Sequence, residues 1–383
     1  MFTLLITLLL AGTPLETVGP PAPETPADGA VPLPAQSGWE AHLVLDNDGV
    51  GVWTVESFDV FPQLGCPDVV GLDDEGRCNV LISYSGRWTK RRALHDGKWL
   101  GGLAFGDIDP RLDGPEVYTG SQRGNIYLVK GYAHGTLDGR LIARLPGREI
   151  HTIVAGELDA ASDGREVIVF TRPGGLYRLT PTGKHGRWDI VHLQDLPGRV
   201  RHAVVLPGPR KEIATVARTG HLRILRLTKE GPQWTTVYKA KMGLGRIALR
   251  RDAPDVIYST RDDGCILRHA RGVDGAWSTA TIYRGPQGPR GIVAGRFDAD
   301  PNKETVAIFG YSGRVELLTR GADGWKAETL FIDSDKGHWL AVAELDGRNA
   351  TREIISSGYS GRIVMISRPA GYGVKAPAPR LDG

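Results

Sequence analysis

Histidines, arginines and tyrosines recur in this chain at two positions of a repeated sequence, and these residue types could do chemistry. The first position begins a strand in each copy, and its residues are Gly51, Gly101, His151, His202, Gly245, Arg290 and His338. The second position ends the next strand, and its residues are Asp74, Gln122, Arg172, Arg218, Arg261, Tyr311 and Tyr359. A position that serves only architecture would carry the same small or apolar residue in every copy. This variety therefore predicts a ligand site.

The arginines in these two sets predict an anionic ligand, because a guanidinium fork matches a carboxylate or a sulfate. The residues expected to bind it are Arg172, Arg218, Arg261 and Arg290. Gln122 is expected to bind the same ligand, and Trp99 and Trp339 offer aromatic faces of the kind that stack on sugar rings. An acidic polysaccharide or oligosaccharide fits all of these side chains.

Histidine and tyrosine beside such arginines could catalyse β-elimination. Arginine neutralises the carboxylate of a uronate and thereby acidifies the proton α to it. A neutral imidazole or a tyrosinate can then remove that proton, and a second such group can protonate the departing glycosidic oxygen. The candidates for these two roles are His151, His202, His338, Tyr311 and Tyr359. The sequence leaves open which of them is the acid and which is the base.

Other chemistries fit these residues less well. Hydrolysis by paired carboxylates needs two acids, and the two sets contain only Asp74. A transition metal on three histidines is disfavoured, because His338 is three repeats away from the neighbouring pair His151 and His202. No metal or other cofactor is therefore predicted. A sugar dehydratase, which removes a proton α to a carbonyl, remains an alternative, and so does a lectin or scaffold without catalysis.

These residues can meet only if the repeats that carry them surround one opening. A unit of about fifty residues occurs seven times, a period typical of solenoids and propellers. Each full copy indicates four strands with alternating apolar residues. The last copy lacks its fourth strand, and GWEAHLVLD at 38–46 resembles GWKAETLFID at 324–333. The sequence therefore predicts an all-β, seven-bladed propeller of four-stranded antiparallel blades, closed into a ring by the strand at 38–46.

The loops between first and second strands resemble the VCBS and FG-GAP class of propeller repeats. The segments that carry this resemblance are FGDIDPRLDGPEV, AGELDAASDGREV and AGRFDADPNKETV. Such loops often bind calcium in that class, but none here has the full alternation of acids that a calcium cage requires, so calcium is not favoured. The set of histidine, tyrosine and arginine also resembles that of the seven-bladed polysaccharide lyases, such as those acting on ulvan. That resemblance implies lyase activity and assigns no role to any single residue.

The ends of the chain predict export. Residues 1–12, MFTLLITLLLAG, match the apolar core of a signal peptide and are too short to span a bilayer. Residues 13–37 contain seven prolines and indicate an extended linker. The propeller is expected at 38–368 and a flexible tail at 369–383. A secreted or periplasmic protein without a membrane span follows from these segments.

The composition limits the possible partners. The formal net charge is +3, which argues against a general nucleic-acid surface. The three cysteines are an odd number, and we expect them to be buried free thiols. We expect a monomer. Together with the candidate residues, these features favour an exported lyase that cleaves an acidic polysaccharide at the mouth of the propeller channel.

Overall fold

The computed structural model describes residues 31–84, 87–159, 164–183, 186–250, 252–345 and 347–373, with only the backbone at Tyr84. The expected signal peptide, the first part of the expected linker and the end of the expected tail lie outside these residues. Part of the loop AGELDAASDGREV also lies outside them.

The described residues form β-strands and a single turn of 3-10 helix at Pro62–Leu64. In chain order the strands are β1 (Val31–Leu33), β2 (Glu40–Asp46), β3 (Val52–Phe58), β4 (Asp68–Asp73), β5 (Arg77–Tyr84), β6 (Arg87–His95), β7 (Leu100–Gly106), β8 (Glu116–Ser121), β9 (Asn125–Gly131), β10 (Leu137–Arg144), β11 (Glu149–Gly156), β12 (Glu166–Arg172), β13 (Gly175–Pro181), β14 (Trp188–Asp195), β15 (Val200–Val205), β16 (Glu212–Ala217), β17 (His221–Thr228), β18 (Gly231–Lys239), β19 (Leu244–Arg250), β20 (Ala253–Arg261), β21 (Cys265–Arg271), β22 (Trp277–Arg284), β23 (Pro289–Ala294), β24 (Thr305–Gly310), β25 (Arg314–Gly321), β26 (Gly324–Ile332), β27 (Gly337–Ala343), β28 (Glu353–Gly358) and β29 (Arg362–Ser367).

These strands form seven antiparallel sheets, which are the blades of a propeller. Blades 1 to 6 each contain four consecutive strands, and their first strands are β3, β7, β11, β15, β19 and β23. Blade 7 consists of β27, β28 and β29 together with β2. The predicted seven-bladed, all-β fold is therefore confirmed.

The N-terminal strand closes the ring. Strand β2 pairs antiparallel with β29, and Leu43 lies opposite Val364. Strand β1 then adds a fifth strand to blade 7, with Val31 opposite Leu43. That strand falls inside residues 13–37, so the end of this predicted linker is part of the sheet. Pro32 is tolerated there because β1 is an edge strand, where a missing N–H breaks no ladder bond.

Aromatic side chains at the start of the fourth strands pack against neighbouring blades. The ring of Trp188 in blade 3 meets Tyr118 of blade 2 with their centroids 5.9 Å apart. Trp325 of blade 6 meets Tyr258 of blade 5 in the same edge-on manner at 6.3 Å. Edge-to-face aromatic pairs of this kind add about 1 kcal/mol beyond the burial of their area. These contacts fix the blades side by side around the channel.

A buried carboxylate at the start of the second strand fixes the loop that precedes it. Its side-chain oxygen accepts a hydrogen bond from a backbone N–H of that loop, and the acceptor–donor pairs are Glu116 with Ile108, Glu166 with Leu158 and Glu353 with Leu345. Two loop aspartates meanwhile pair with basic side chains, Asp109 with Arg111 and Asp298 with Lys303. In these loops, hydrogen bonds and ion pairs within the chain hold the acids.

Every first strand contains a β-bulge near its start. In six blades, one extra residue of the first strand lies between two consecutive residue pairs of the ladder. In blades 1, 2, 3, 4, 6 and 7 this residue is Trp53, Gly102, His151, Arg201, Arg290 and His338, respectively. In blade 5 the two residues Gly245 and Arg246 together face one residue of the second strand. A bulge bends the strand and turns the extra side chain to a new direction. The bulges therefore decide which side chains the first strands present.

Candidate functional site at the channel mouth

The bulges place a different set of residues at the first position than the sequence predicted. The bulged residue is the predicted one in blades 3, 6 and 7, which carry His151, Arg290 and His338. In blades 1, 2 and 4 the predicted register is wrong by one or two residues. There the bulge holds Trp53 rather than Gly51, Gly102 rather than Gly101, and Arg201 rather than His202. In blade 5 the bulge holds the predicted Gly245 together with Arg246. The copies of the repeat share an alternation of apolar residues, and that alternation does not reveal a single inserted residue.

A backbone hydrogen bond that recurs in the blades identifies the second position. The N–H at this position donates to the chain just before the first strand, and the donors are Asp74, Gln122, Arg218, Asp262, Tyr311 and Tyr359. In blade 5 the residue is therefore Asp262, and the predicted Arg261 is wrong by one residue. Arg261 instead donates to Asp263 at 2.8 and 2.9 Å and to the hydroxyl of Tyr238 at 2.7 Å.

Four arginines lie close enough at the channel mouth to influence one another, and two of them bind Asp262. Arg201 donates to both carboxylate oxygens of Asp262, at 2.8 and 2.9 Å, and Arg290 donates to one of them at 3.1 Å. Burial, followed by the charges of neighbouring arginines, lowers the pKa of Arg246 to about 9. The same causes lower the pKa of Arg199 to about 10. The mouth thus concentrates positive charge in a partly desolvated space, which favours an anion.

Three predicted ligand-binding residues stand farther out on the rim. The side chains of Gln122, Arg172 and Arg218 are exposed. Arg172 donates to a carboxylate oxygen of Glu149 at 3.3 Å, so a neighbouring acid offsets part of its charge. The charges of Arg218 and Arg172 nevertheless contribute to the lowered pKa of Arg199. The rim arginines therefore add to the field of the mouth.

Two of the predicted histidines connect neighbouring blades. Nδ1 of His338 in blade 7 donates to the carbonyl of Trp53, the bulged residue of blade 1, at 2.6 Å. Nδ1 of His202 in blade 4 accepts the N–H of Ile247, directly after the bulge of blade 5, at 3.1 Å. Burial lowers the pKa of His202 to about 3 and holds the pKa of His338 well below its usual value. Both imidazoles are therefore neutral, and each uses one ring nitrogen to position a bulge.

His151 is the histidine whose ring faces the arginine cluster. Its Nε2 lies 3.5 Å from Nη1 of Arg199 and 3.6 Å from a carboxylate oxygen of Glu149. Its ring packs against Trp99, with the centroids 5.0 Å apart. Burial and then the charge of Arg199 lower the pKa of His151 to about 3. His151 is therefore a neutral hydrogen-bonding group at the mouth.

Two tyrosines lie side by side next to Arg290, with their ring centroids 6.3 Å apart. Nη2 of Arg290 donates to the hydroxyl of Tyr311 at 3.1 Å. Burial raises the pKa of Tyr311, but the hydrogen bond and the charge of Arg290 outweigh it, and the net pKa is lowered. Burial and then the charge of Tyr311 raise the pKa of Tyr359 to about 12. Environments that push two pKa values apart in this way are suited to a base and an acid.

The tryptophans of the mouth differ in what they expose. Trp99 is partly exposed and keeps a place beside His151, as expected of a stacking surface. Trp339 is 7% exposed, and the guanidinium of Arg246 lies 4.4 Å above its ring. The predicted sugar-stacking face of Trp339 is therefore covered by another side chain. Trp53 fills the space between Trp99 and Tyr359, with centroids 6.2 and 5.4 Å away.

The sequence analysis missed several residues that the structure brings to the mouth. They are Trp53, Arg199, Arg201, Arg246 and Asp262. One signal could have revealed part of this set, because RVR at 199–201 places two arginines around the start of a first strand. The arrangement as a whole can bind a carboxylate or sulfate, exclude water beneath it, and hold phenols and an imidazole near the anion.

The described ranges contain no group of three or more histidine, cysteine, aspartate and glutamate side chains placed to hold a metal ion. They also contain no helix with the length and apolar character that crossing a membrane requires.

Comparisons with known proteins give the fold and no family. No family model matches the chain, and no curated protein matches it. The WD40 β-propeller domain of Doa1 is similar, with a TM-score of 0.59 and 11% identity over 90% of this chain and 98% of that chain. BBS1N in complex with ARL6DN gives a TM-score of 0.61, with 14% identity over 88% and 99% of the two chains. YCF48 bound to D1 peptide gives 0.58, with 14% identity over 92% and 100%. At these identities the likeness establishes the β-propeller fold alone.

Proposed function

We propose that the channel mouth binds the carboxylate of an acidic polysaccharide and cleaves the chain by β-elimination. The observation that carries this proposal is the cluster of Arg199, Arg201, Arg246 and Arg290, in which two guanidiniums share Asp262 and lie beside a polarised tyrosine pair. A uronate carboxylate entering the cluster would meet more positive charge than Asp262 neutralises. Binding there would withdraw electron density and acidify the proton α to the carboxylate.

The tyrosine pair supplies the two proton transfers. Tyr311, whose pKa Arg290 lowers, takes the proton α to the carboxylate. The electron pair of that C–H bond forms the new carbon–carbon double bond, and the bond to the glycosidic oxygen breaks. Tyr359, whose pKa is raised, is protonated and donates its proton to the departing oxygen. General acid–base catalysis of this kind contributes about 10²–10⁴-fold for each partner.

The test measures cleavage and binding separately on a panel of acidic polysaccharides. The product of β-elimination is an unsaturated uronate, whose ultraviolet absorbance reports turnover, and calorimetry reports affinity. We expect Tyr311→Phe to lower turnover by about 10²-fold or more while the dissociation constant stays within a few-fold. Tyr238→Phe is the matched control, because that phenol belongs to β18, the fourth strand of blade 4, and accepts a hydrogen bond from Arg261. Binding with no absorbance change on every polymer would rule out the lyase.

A second candidate function is recognition of an acidic ligand without catalysis. It is supported by His202 and His338, because each forms a hydrogen bond between one ring nitrogen and the backbone of the next blade. That nitrogen is then not available for proton transfer. In that case Tyr311→Phe and Arg290→Ala would change affinity alone, with no turnover to lose. The export that we expect from residues 1–12 would give either function access to polymers outside the cytoplasm, and fractionation of expressing cells would test that location.

A further inference from the structure

The central channel is closed part-way along by one side chain. Trp339 projects from blade 7 and donates its indole N–H to a carboxylate oxygen of Glu56 in blade 1 at 3.0 Å. Its ring also meets His202 of blade 4, with centroids 5.0 Å apart, and Arg246 of blade 5 at 4.4 Å. One indole therefore reaches three other blades. This layer, which we call the plug, separates the basic mouth from the rest of the channel.

Beyond the plug lies a cavity of about 870 Å³. Glu56 and His202 form its inner end, and its wall includes Phe105, Val154, Val204, Leu249, Val293 and Ala341. Each of these wall residues comes from a different blade and a first strand, so the cavity is an apolar ring. A volume of this size falls within the roughly 300–1,000 Å³ of small-molecule sites. The wall therefore fits a hydrocarbon group better than a sugar.

Two aromatic rings stand at the outer part of the cavity. Phe58 of blade 1 and Phe105 of blade 2 stack with their centroids 4.8 Å apart and their planes 7° from parallel. Both rings line the cavity and are only partly buried. They extend the apolar surface toward the face of the propeller opposite the mouth.

The rim of this cavity carries two arginines without a partner. Arg296 of blade 6 and Arg352 of blade 7 line the opening, and the backbone N–H of Arg352 donates to the carbonyl of Arg296 at 2.9 Å. Neither guanidinium forms a hydrogen bond or an ion pair with any residue in the part of the chain that the structure describes. Two arginines on adjoining backbone segments at the opening of an apolar cavity are suited to an anionic head group on an apolar body.

The other charges of the rim are already paired or lie apart. Arg250 donates to Asp252 at 2.9 Å, and Lys303 donates to Asp298 at 3.0 Å. Asp59 is exposed on blade 1 beside Phe58, and no ion pair within the described ranges joins it to Arg296 or Arg352. Among the described residues of blades 6 and 7 that line the cavity, the charges left without a partner are therefore those of Arg296 and Arg352.

We propose that this cavity is a second binding site, for a long-chain carboxylate whose hydrocarbon tail fills the channel up to the plug. The carboxylate would bind Arg296 and Arg352, and burial of the methylene groups against the apolar wall would add to the affinity. The site opens on the face opposite the arginine cluster, and its ligand differs in chemistry from the acidic sugar proposed for the mouth. The two proposals are therefore independent.

Calorimetric titration of the full chain with dodecanoate tests the site, with dodecanol and sulfate as comparison ligands. We expect saturable binding of one dodecanoate, weaker binding of dodecanol, and no competition by sulfate, which lacks the tail. The double variant Arg296→Ala/Arg352→Ala should weaken dodecanoate binding by about ten-fold or more, because it removes the charge-assisted hydrogen bonds to the carboxylate. Arg226→Ala, which removes an exposed arginine of β17 that is outside the cavity lining, is the matched control and should bind dodecanoate as the unchanged protein does.

A cavity-filling variant provides the second measurement. Val204 lines the cavity and is only partly buried, so Val204→Trp should project into the open space and abolish dodecanoate binding without unfolding the ring. Circular dichroism and thermal melting confirm that the variant is folded. The proposal is overturned if dodecanoate binds without saturation, if the double arginine variant binds it unchanged, or if folded Val204→Trp binds it as tightly as before.

Discussion

Replacing Asp262 with asparagine removes the carboxylate that neutralises two arginines of the mouth. The side chain of Arg201 is 8% exposed and that of Asp262 is 24% exposed, with 2.8 Å between their charged atoms. Removing one partner of a buried ion pair costs about 3–5 kcal/mol, because the other charge stays buried without compensation. Solvent reaches Asp262 in part and screens the pair, so we expect Asp262→Asn to lower the free energy of unfolding by about 2–3 kcal/mol.

Thermal melting with and without sulfate measures this effect. At about 1.2 °C per kcal/mol for a chain of this size, the expected loss in melting temperature is about 3 °C. Sulfate should restore part of it, because an anion that enters the cluster replaces the lost charge and stabilises the folded state by mass action. The rise in melting temperature with sulfate should therefore be larger for Asp262→Asn than for the unchanged protein.

Asp255→Asn is the control for a surface carboxylate. Asp255 pairs with Arg210 at 2.9 Å, and their side chains are 48% and 50% exposed, so its loss should cost less than about 1 kcal/mol. Two results would contradict this description of the mouth: the same melting temperature for Asp262→Asn as for the unchanged protein, or an equal rise in melting temperature with sulfate for both. Either would mean that Asp262 does not compensate a buried cationic cluster.

Two further predictions concern the scaffold. Burial raises the pKa of Glu166 to about 7 from an ordinary 4.5, so the folded state binds a proton more tightly than the unfolded state. The stability that this proton confers is complete below about pH 4.5 and is lost as the pH rises through 7. Denaturant unfolding at pH 5 and pH 8 should show a loss that includes a contribution on the order of 2 kcal/mol from Glu166, and Glu166→Gln should reduce the loss by that amount; an unchanged pH dependence in the variant would contradict this. Gly102 occupies the bulge of blade 2 with φ +72, where a Cβ would lie 2.9 Å from the backbone of Thr152 and Ile153. Gly102→Ala should therefore destabilise the ring by about 3 kcal/mol, against about 1 kcal/mol for Gly147→Ala, whose φ is +73 with nothing within 4 Å; equal melting temperatures would disprove the close contact.

The sequence predicted the blades well because their signals are local and repeated. Alternating apolar residues define each strand, and a glycine after the second strand permits the hairpin, as Gly124 does with φ +81. The likeness of 38–46 to 324–333 predicted the closing strand, which the pairing of β2 with β29 confirms. These features depend on backbone conformation and on burial, and both leave a periodic pattern in the residues.

The contents of the mouth were less predictable because a bulge shifts one side chain without altering that pattern. His202 was aligned with His151 by the apolar residues that follow both, whereas the inserted residue of blade 4 is Arg201. In blade 5 a separate error of one residue, at the end of the second strand, exchanged Arg261 for Asp262, and so exchanged a cation for the acid that bridges two arginines. To predict a site built from several blades, the strand register of each blade must be known to within one residue. Spacing in the sequence does not provide that accuracy.

The pairing of β2 with β29 also governs how the molecule can be made. Arg368 donates a hydrogen bond to the carbonyl of Gly38 across a sequence separation of 330 residues. The two strands of this seam, β2 and β29, are therefore synthesised far apart in time, β2 early and β29 late. The first six blades can each form from neighbouring segments, but the seam requires the longest loop closure in the chain, which is the slowest kind of contact to form. Until β2 pairs with β29, blade 7 presents an unpaired strand edge, and a second nascent chain could donate its own β2 to that edge. The seam is therefore the place where domain-swapped oligomers would arise during overexpression.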